Sequence, residues 1–284
     1  MIGRRGKGIY KSPAELRAMV EPGLVTAASL DAVRAAIRPG ITTLELDRIA
    51  DEVIRSRGGV SNFQMVPGYS HTVCTSVNDD VVHGIPGPRV LQPGDIVSID
   101  SGADVNGWNG DSAITIVLDD PAHPETVAAR QLLSDVTEQS LWHGIARLAR
   151  AKHLNEVGEA IEDYVTSHPS VAEGAQYGIL TDYIGHGIGR SMHEEPPVFN
   201  YRVRQRGPEV KPGLVVAIEP MITAGSEETF VRDDEWTVAT SDGSMSSHWE
   251  HSVAVHADGI WVLTAADGGA SALAPLGVTP VPIP

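Results

Sequence analysis

Hydrophobic and polar positions alternate in two distinct rhythms along this chain. Ser12-Pro13-Ala14-Glu15 has the form of a capping box with proline at the first helical position, so a helix is expected from there to about Arg38. Pro39-Gly40 stops it, and Pro22-Gly23 is a candidate break. Thr42-Thr43-Leu44-Glu45 is a second capping box, after which Leu44, Leu46, Ile49, Ala50, Val53 and Ile54 follow at helical spacing until Gly58-Gly59. The rhythm then changes. Residues 70–85, 95–105 and 111–118 are rich in Val, Ile and Thr and read as strands, with Asn106-Gly107 as a turn signal between the last two.

The same succession returns in the second half. Pro124 opens a long helical stretch to about Ala151, and residues 154–168 form another. Strands are expected over 176–182, 213–219, 236–240, 248–256 and 260–263. The order helix, helix, strands occurs twice, which points to two similar α+β halves sharing one sheet. No close sequence repeat accompanies it. Residues 265–284 hold twelve Ala, Gly or Pro among twenty and no periodicity, so this tail is expected to be mobile or loosely draped.

Composition narrows the class. The chain has 284 residues, 21 Lys+Arg against 37 Asp+Glu and a net charge of −16. An acid excess of that size argues against a broad nucleic-acid surface, which needs clustered cations. The single cysteine, Cys74, excludes an intrachain disulfide framework and a Cys-rich zinc module. No apolar run approaches bilayer length, and the basic Met1–Lys11 segment lacks a following apolar region. A cytoplasmic protein with a mobile basic N-terminus is expected.

The informative chemistry is a set of misplaced charges. If the strands on either side of the turn pair about Val105–Asn106, Asp100 faces Asp111, with Cβ atoms about 5 Å apart. Asp100 follows the apolar run Ile96-Val97-Ser98-Ile99. Two carboxylates on a covered sheet repel, so one is protonated or a cation lies between them. Glu219 ends the apolar run 214–218, Glu250 precedes another, and His186 lies in Gly185-His186-Gly187-Ile188-Gly189, where glycines permit close backbone approach. Taken singly, each is an ordinary surface or loop residue. As a set, four oxygen donors and one nitrogen suit a pair of divalent ions such as Mn, Fe or Co better than a thiolate zinc site.

These segments resemble a known family. Residues 81–87 (VVHGIPG), 96–113 (IVSIDSGADVNGWNGDSA), 183–198 (YIGHGIGRSMHEEPPV), 215–222 (VVAIEPMI) and 236–255 (WTVATSDGSMSSHWEHSVAV) look like type I methionine aminopeptidase. The likeness runs from about Ser12 to Thr264. It implies the α+β pita-bread fold, two pseudo-symmetric halves sharing an antiparallel sheet, as one catalytic domain over 12–264 flanked by the 1–11 segment and the 265–284 tail. It also implies two divalent ions: Co, Mn or Fe, with Zn and Ni as alternatives. Asp100 would hold one ion through both oxygens, His186 and Glu219 the other, and Asp111 and Glu250 would bridge them.

The implied reaction removes an N-terminal methionine that precedes a small residue. A hydroxide shared by the ions attacks the carbonyl, and Glu219 moves its proton to the leaving amine. The free α-amino group of the substrate binds one ion. His83 would contact the amide after the scissile bond and His193 the carbonyl oxygen where charge grows. The methionine pocket maps onto Phe63, Tyr69, Cys74, Met192 and Trp236. This chain departs from the family pattern at Met192, where an aromatic is common, at Phe63, where a smaller residue is common, and at Val66, where tyrosine is expected.

Three alternatives stand beside this reading. A proline-specific peptidase of the same superfamily usually carries a large N-terminal domain, and only 99 residues precede Asp100. A type II enzyme needs a helical insertion between His193 and Glu219, which lie 26 positions apart. A non-catalytic binding homologue would have lost ligands, and all five are present. His248-Trp249-Glu250-His251 has neither zincin spacing. The expected partners are N-terminal Met peptides and nascent chains, with no membrane and no specific nucleic-acid sequence. Transient ribosome contact would use the basic N-terminus or Arg202, Arg204, Arg206 and Lys211, and the chain is expected to act as a monomer.

Overall fold

A computed structural model describes residues 8–172 and 175–284. Both capping boxes form: Ser12 with Glu15, and Thr42 with Glu45, each pair exchanging side-chain and backbone hydrogen bonds. The first helical stretch breaks, but at Met19 rather than Pro22-Gly23, giving helices Pro13–Ala18 and Val20–Ala36. Pro22 is accommodated because it falls in the first turn of the second helix, where no intrahelical N–H bond is required. Helices Thr43–Ser56, Pro124–Leu148 and Glu156–Thr166 complete the two helix pairs read from the periodicity.

The strands assemble mainly into one nine-stranded sheet. Its path runs Val60–Ser61, Ile96–Val105, Trp108–Val117, Glu250–His256, Val215–Ile218, Gly185–Gly187, Glu194–Val198. Val73–Val77 pairs with Ile96–Val105, and Gly259–Val262 with Glu250–His256. Among the described residues every strand pairing is antiparallel, and strands from both halves of the chain meet at the junction of Trp108–Val117 with Glu250–His256. Two further three-stranded sheets form around Met221–Thr223 and Val238–Thr240.

The central hairpin corrects the expected register. Val105 pairs with Trp108, so Asn106 and Gly107 are the two central turn residues, with φ of 56° and 72°. Positive φ at both positions gives the primed turn geometry that matches strand twist. Asp100 therefore pairs with Ala113 and Asp111 with Gly102, a shift of two from the sequence expectation. Because side-chain direction repeats every two residues, the shift leaves both aspartates on one face.

The opposite face is the main core. Val97, Ile99, Ile114, Val216, Ile218 and Val253 pack there against Leu30, Val33, Leu133, Leu141 and Ile145 of the helices. The ends of the chain also depart from expectation. Lys11, assigned to a mobile basic segment, is packed, with its side chain 8% exposed; residues 1–7, including Arg4, Arg5 and Lys7, lie outside the described residues. The 265–284 tail is folded: it forms the helix Ala270–Leu273, buries Leu273 and Val278, and its Val281 carbonyl accepts from the His256 ring at 2.7 Å. Arg150 donates to the carbonyls of Leu276 and Gly277. Its composition suggested mobility because Ala and Pro dominate, yet two apolar side chains and these bonds hold it down.

Removing residues 265–284 should therefore lower stability by about 3 kcal/mol or more, from the two buried side chains alone. Urea unfolding of the truncated chain measures this. An unchanged midpoint would show that the tail's packing contributes nothing.

Candidate metal centre

Five adjacent strands deliver the candidate ligands to one face. Asp100 pairs with Ala113, and Ala113 pairs with Glu250, so these three lie in a row across the sheet. Asp111 sits two residues along the middle strand. His251 pairs with Ile218, so continuing that register brings Glu219, just past its strand end, opposite Glu250. His186 pairs with Ala217, two residues before Glu219. An odd shift in any of these registers would turn a ligand into the helix-packed core. The glycines beside His186 serve close approach: a Cβ on Gly185 would lie 2.4 Å from the Ala217 carbonyl oxygen, and one on Gly187 2.2 Å from that of Glu195.

Ligand atoms of Asp111, His186 and Glu250 lie within 4.8 Å of one another. His186 Nε2 is 3.4 Å from Glu219 Oε1 and 4.0 Å from Asp111 Oδ2. Asp111 Oδ1, Asp100 Oδ1 and Glu250 Oε1 are buried with no hydrogen-bond partner among the described residues. Burial pushes the Asp100 carboxyl up to about 7. Burial, then the charge of neighbouring carboxylates, pushes Asp111, Glu219 and Glu250 well above the usual range. Buried carboxylate oxygens without donors, converging on one imidazole, are the arrangement a divalent cation satisfies.

The histidines are held neutral. Burial, with His193 nearby, lowers His83 to about 4 and His186 to about 4; burial also lowers His193. His83 adopts φ 60°, an uncommon conformation for a non-glycine residue, and its ring packs edge-on to Tyr183. His193 packs edge-on to His186, with ring centroids 4.4 Å apart. Neutral imidazoles can each donate one hydrogen bond to a substrate.

All five pocket residues read from the sequence line the same cavity as the ligands, a space of about 250 Å³. Phe63 and Tyr69 meet edge-to-face, and Tyr69 and Trp236 lie 5.1 Å apart, with Cys74 and Met192 closing the apolar cluster. Val66 lines it too. Cys74 pairs with Asp100 in the sheet; burial and then that carboxylate push its thiol well up, so it is an inert neutral wall. Three residues were missed by sequence reading. Val82 lines the cavity, and Ile85 packs on its apolar wall. His248 is buried, its Nε2 has no hydrogen-bond partner among the described residues and lies 3.8 Å from Glu219 Oε2, and burial lowers it to about 3. Its one signal was a histidine two positions before Glu250.

No helix among the described residues is long and apolar enough to cross a membrane. The sequence model of metallopeptidase family M24 matches residues 17–257. Methionine aminopeptidase 1 of Mycobacterium tuberculosis is 47% identical over 266 residues, covering 92% of this chain and 97% of that protein. Methionine aminopeptidase 1 of Bacillus subtilis is 40% identical over 256 residues, covering 90% and 98%. Among solved structures, methionine aminopeptidase from Rickettsia prowazekii superposes with a TM-score of 0.81 at 32% identity, covering 90% of this chain and 99% of that one. Prolidase from Pyrococcus furiosus shares the fold, with a TM-score of 0.65 at 17% identity. The chain belongs to metallopeptidase family M24 and, within it, to the type I methionine aminopeptidases.

Proposed function

We propose that residues 12–264, together with the packed Lys11 and the folded 265–284 tail, act as one catalytic unit that removes the N-terminal methionine from peptides and nascent proteins with a small second residue. One observation carries this reading: four carboxylates and an imidazole converge on one sheet face, three of their oxygens buried and without a hydrogen-bond partner among the described residues, at the floor of an apolar cavity. Asp100, Asp111, His186, Glu219 and Glu250 would hold two divalent ions, and the oxygen-rich donor set favours Mn, Fe or Co over a thiolate-type zinc site. Bound there, the ions supply positive charge that polarises a peptide carbonyl and lowers the pKa of an attacking water.

The chain's own residues do the rest. Glu219 accepts the proton of the attacking water and passes it to the leaving amine. His193 donates to the methionine carbonyl oxygen as negative charge develops, and His83 donates at the next amide. Phe63, Tyr69, Met192 and Trp236 take the thioether side chain, where sulfur meets aromatic edges. Cys74 closes the base of that wall. The cavity of about 250 Å³ has room for a methionine side chain beside the reacting centre.

The chain works as a monomer in the cytoplasm, in transient contact with ribosomes. Within the 202–211 stretch, Arg204 and Arg206 are the groups assigned to that contact, since Arg202 pairs with Glu162 and Asp163, and Lys211 with Glu209. Reversing Arg204 and Arg206 to glutamate should reduce co-sedimentation with ribosomes; unchanged co-sedimentation removes this loop from the contact, and unchanged co-sedimentation after the N-terminal Arg4, Arg5 and Lys7 are reversed as well removes the ribosome assignment.

Methionine release from Met-Ala-Ser tests the activity. Chelation should abolish it and added Mn or Co restore it, while an X-Pro peptide should be a poor substrate. Glu219→Ala should lower kcat about 10²–10⁴-fold. His193→Ala should lower it about 10²–10³-fold. Full activity of the chelated Glu219→Ala protein would contradict the mechanism.

Acidity separates metal-loaded from metal-free protein. In the metal-free chain Asp100 is raised to about 7, and the other three carboxyls are raised as well, so the folded state binds more protons than the unfolded state above the ordinary carboxyl range. Stability of the metal-free form therefore falls as pH rises toward and past 7. Ion binding requires the same groups deprotonated, so it strengthens over that range. The Tm difference between loaded and chelated protein should be larger at about pH 8 than at about pH 5.5. A difference independent of pH would mean that these carboxyls are not the ligands.

A further inference from the structure

Among the described residues, His193 makes no side-chain hydrogen bond, and its ring rests edge-on against His186. Its position depends on the backbone that carries it. That backbone is closed by the next residue. Glu194 Oε1 accepts the Ser191 N–H at 3.0 Å, while Glu194 Oε2 lies 2.8 Å from Lys11 Nζ. The Glu194 side chain is 27% exposed and that of Lys11 only 8%, so this pair is largely screened from solvent, unlike a surface pair. Burial works against the Glu194 carboxylate, yet the Lys11 hydrogen bond, the Ser191 amide and the Lys11 charge hold its pKa below the usual range.

Lys11 reaches this loop from the far end of the sequence, and its own backbone is anchored. Its N–H donates to the Gly213 carbonyl at 2.7 Å, and Tyr10 bridges to Leu214. The Tyr10 hydroxyl donates to the Glu209 carbonyl, and Lys211 Nζ sits 4.4 Å from the Tyr10 ring centre. Gly189 leaves room for the pair: a Cβ there would lie 2.8 Å from Lys11 Cε and 2.9 Å from both Glu194 oxygens. The Gly189 carbonyl is in turn bound by the Asn109 backbone and side-chain N–H groups, which tie the loop to the central hairpin.

We propose that Lys11 is a positioning residue for catalysis: through its ion pair with Glu194, an N-terminal strap fixes the 189–195 loop and aims His193 at the substrate carbonyl. The inference rests on the role given to His193 above. Loss of the ammonium leaves the metal ligands and the pocket wall at Phe63, Tyr69 and Trp236 in place and moves only Met192 of that wall together with His193, so binding should suffer less than turnover. Misplacement of a catalytic donor by about 1 Å can cost about 10²-fold in rate.

The test uses the full chain, loaded with Mn for kinetics, with Lys11→Met, which keeps an unbranched stem of similar length and removes the charge, and Lys11→Arg, which keeps the charge. Lys11→Met should lower kcat on Met-Ala-Ser about 10–100-fold with KM changed less than about threefold, and Lys11→Arg should recover most of the loss. In a His193→Ala background Lys11→Met should have no further effect on kcat. A second readout is independent of activity: the His193 ring Cε1–H NMR signal of the metal-free chain, assigned by its absence in His193→Ala, should shift or broaden in Lys11→Met and return in Lys11→Arg. An unchanged signal in Lys11→Met, or equal losses of kcat in the wild-type and His193→Ala backgrounds, overturns the proposal. Full activity of His193→Ala alone overturns the catalytic role of His193 instead, while the NMR signal still decides whether Lys11 positions the ring.

Discussion

Four carboxylates that repel one another on a covered sheet face set the terms for this molecule. Each unpartnered buried polar group costs about 1–3 kcal/mol, and more if charged. Left without cations, Asp100, Asp111, Glu219 and Glu250 respond by holding protons, since burial raises all four. The nine-stranded sheet keeps them together regardless, because its other face is bonded into an apolar core of helices and strands. Stability is supplied on one side of the sheet and spent on the other.

Sheet register is what converts sequence into site. Asp100 and Asp111 were legible because charged residues at the end of apolar strand runs are anomalous on sight. Their pairing was misjudged by two positions, since the turn is centred on Asn106-Gly107 and not on Val105-Asn106. An even error preserves the face, so the chemistry survived it. The helix break at Met19 was not legible, because nothing in its local sequence marks it and the punctuating Pro22 lies harmlessly in a first turn. The tail misled for the opposite reason: Ala, Gly and Pro carry little periodic signal, although Leu273 and Val278 are buried. Lys11 and Glu194 lie 183 positions apart, a separation across which neither helical nor strand periodicity carries information.

The shared fold also separates what the scaffold provides from what the cavity walls provide. Prolidases at under 20% identity share the architecture, whereas relatives near half identity carry the methionine aminopeptidase name. At those identities the likeness to prolidases speaks for the fold alone. In this chain Phe63, Tyr69, Met192 and Trp236 make the cavity wall apolar and soft, and Cys74, kept neutral by burial, contributes bulk without charge. Met192 and His193 occupy one short loop, so a residue of the cavity wall and the histidine proposed to meet the substrate carbonyl share the same backbone support.

The count of protons released when a divalent ion binds tests the governing repulsion most directly. Titrating Mn(II) into the metal-free chain at about pH 7, calorimetrically in buffers of different ionisation enthalpy, measures that count. Release of about one proton or more per chain, lost together with tight binding in Asp111→Asn, is the predicted result. Binding without proton release, or no binding in a chain that still liberates methionine, would contradict it.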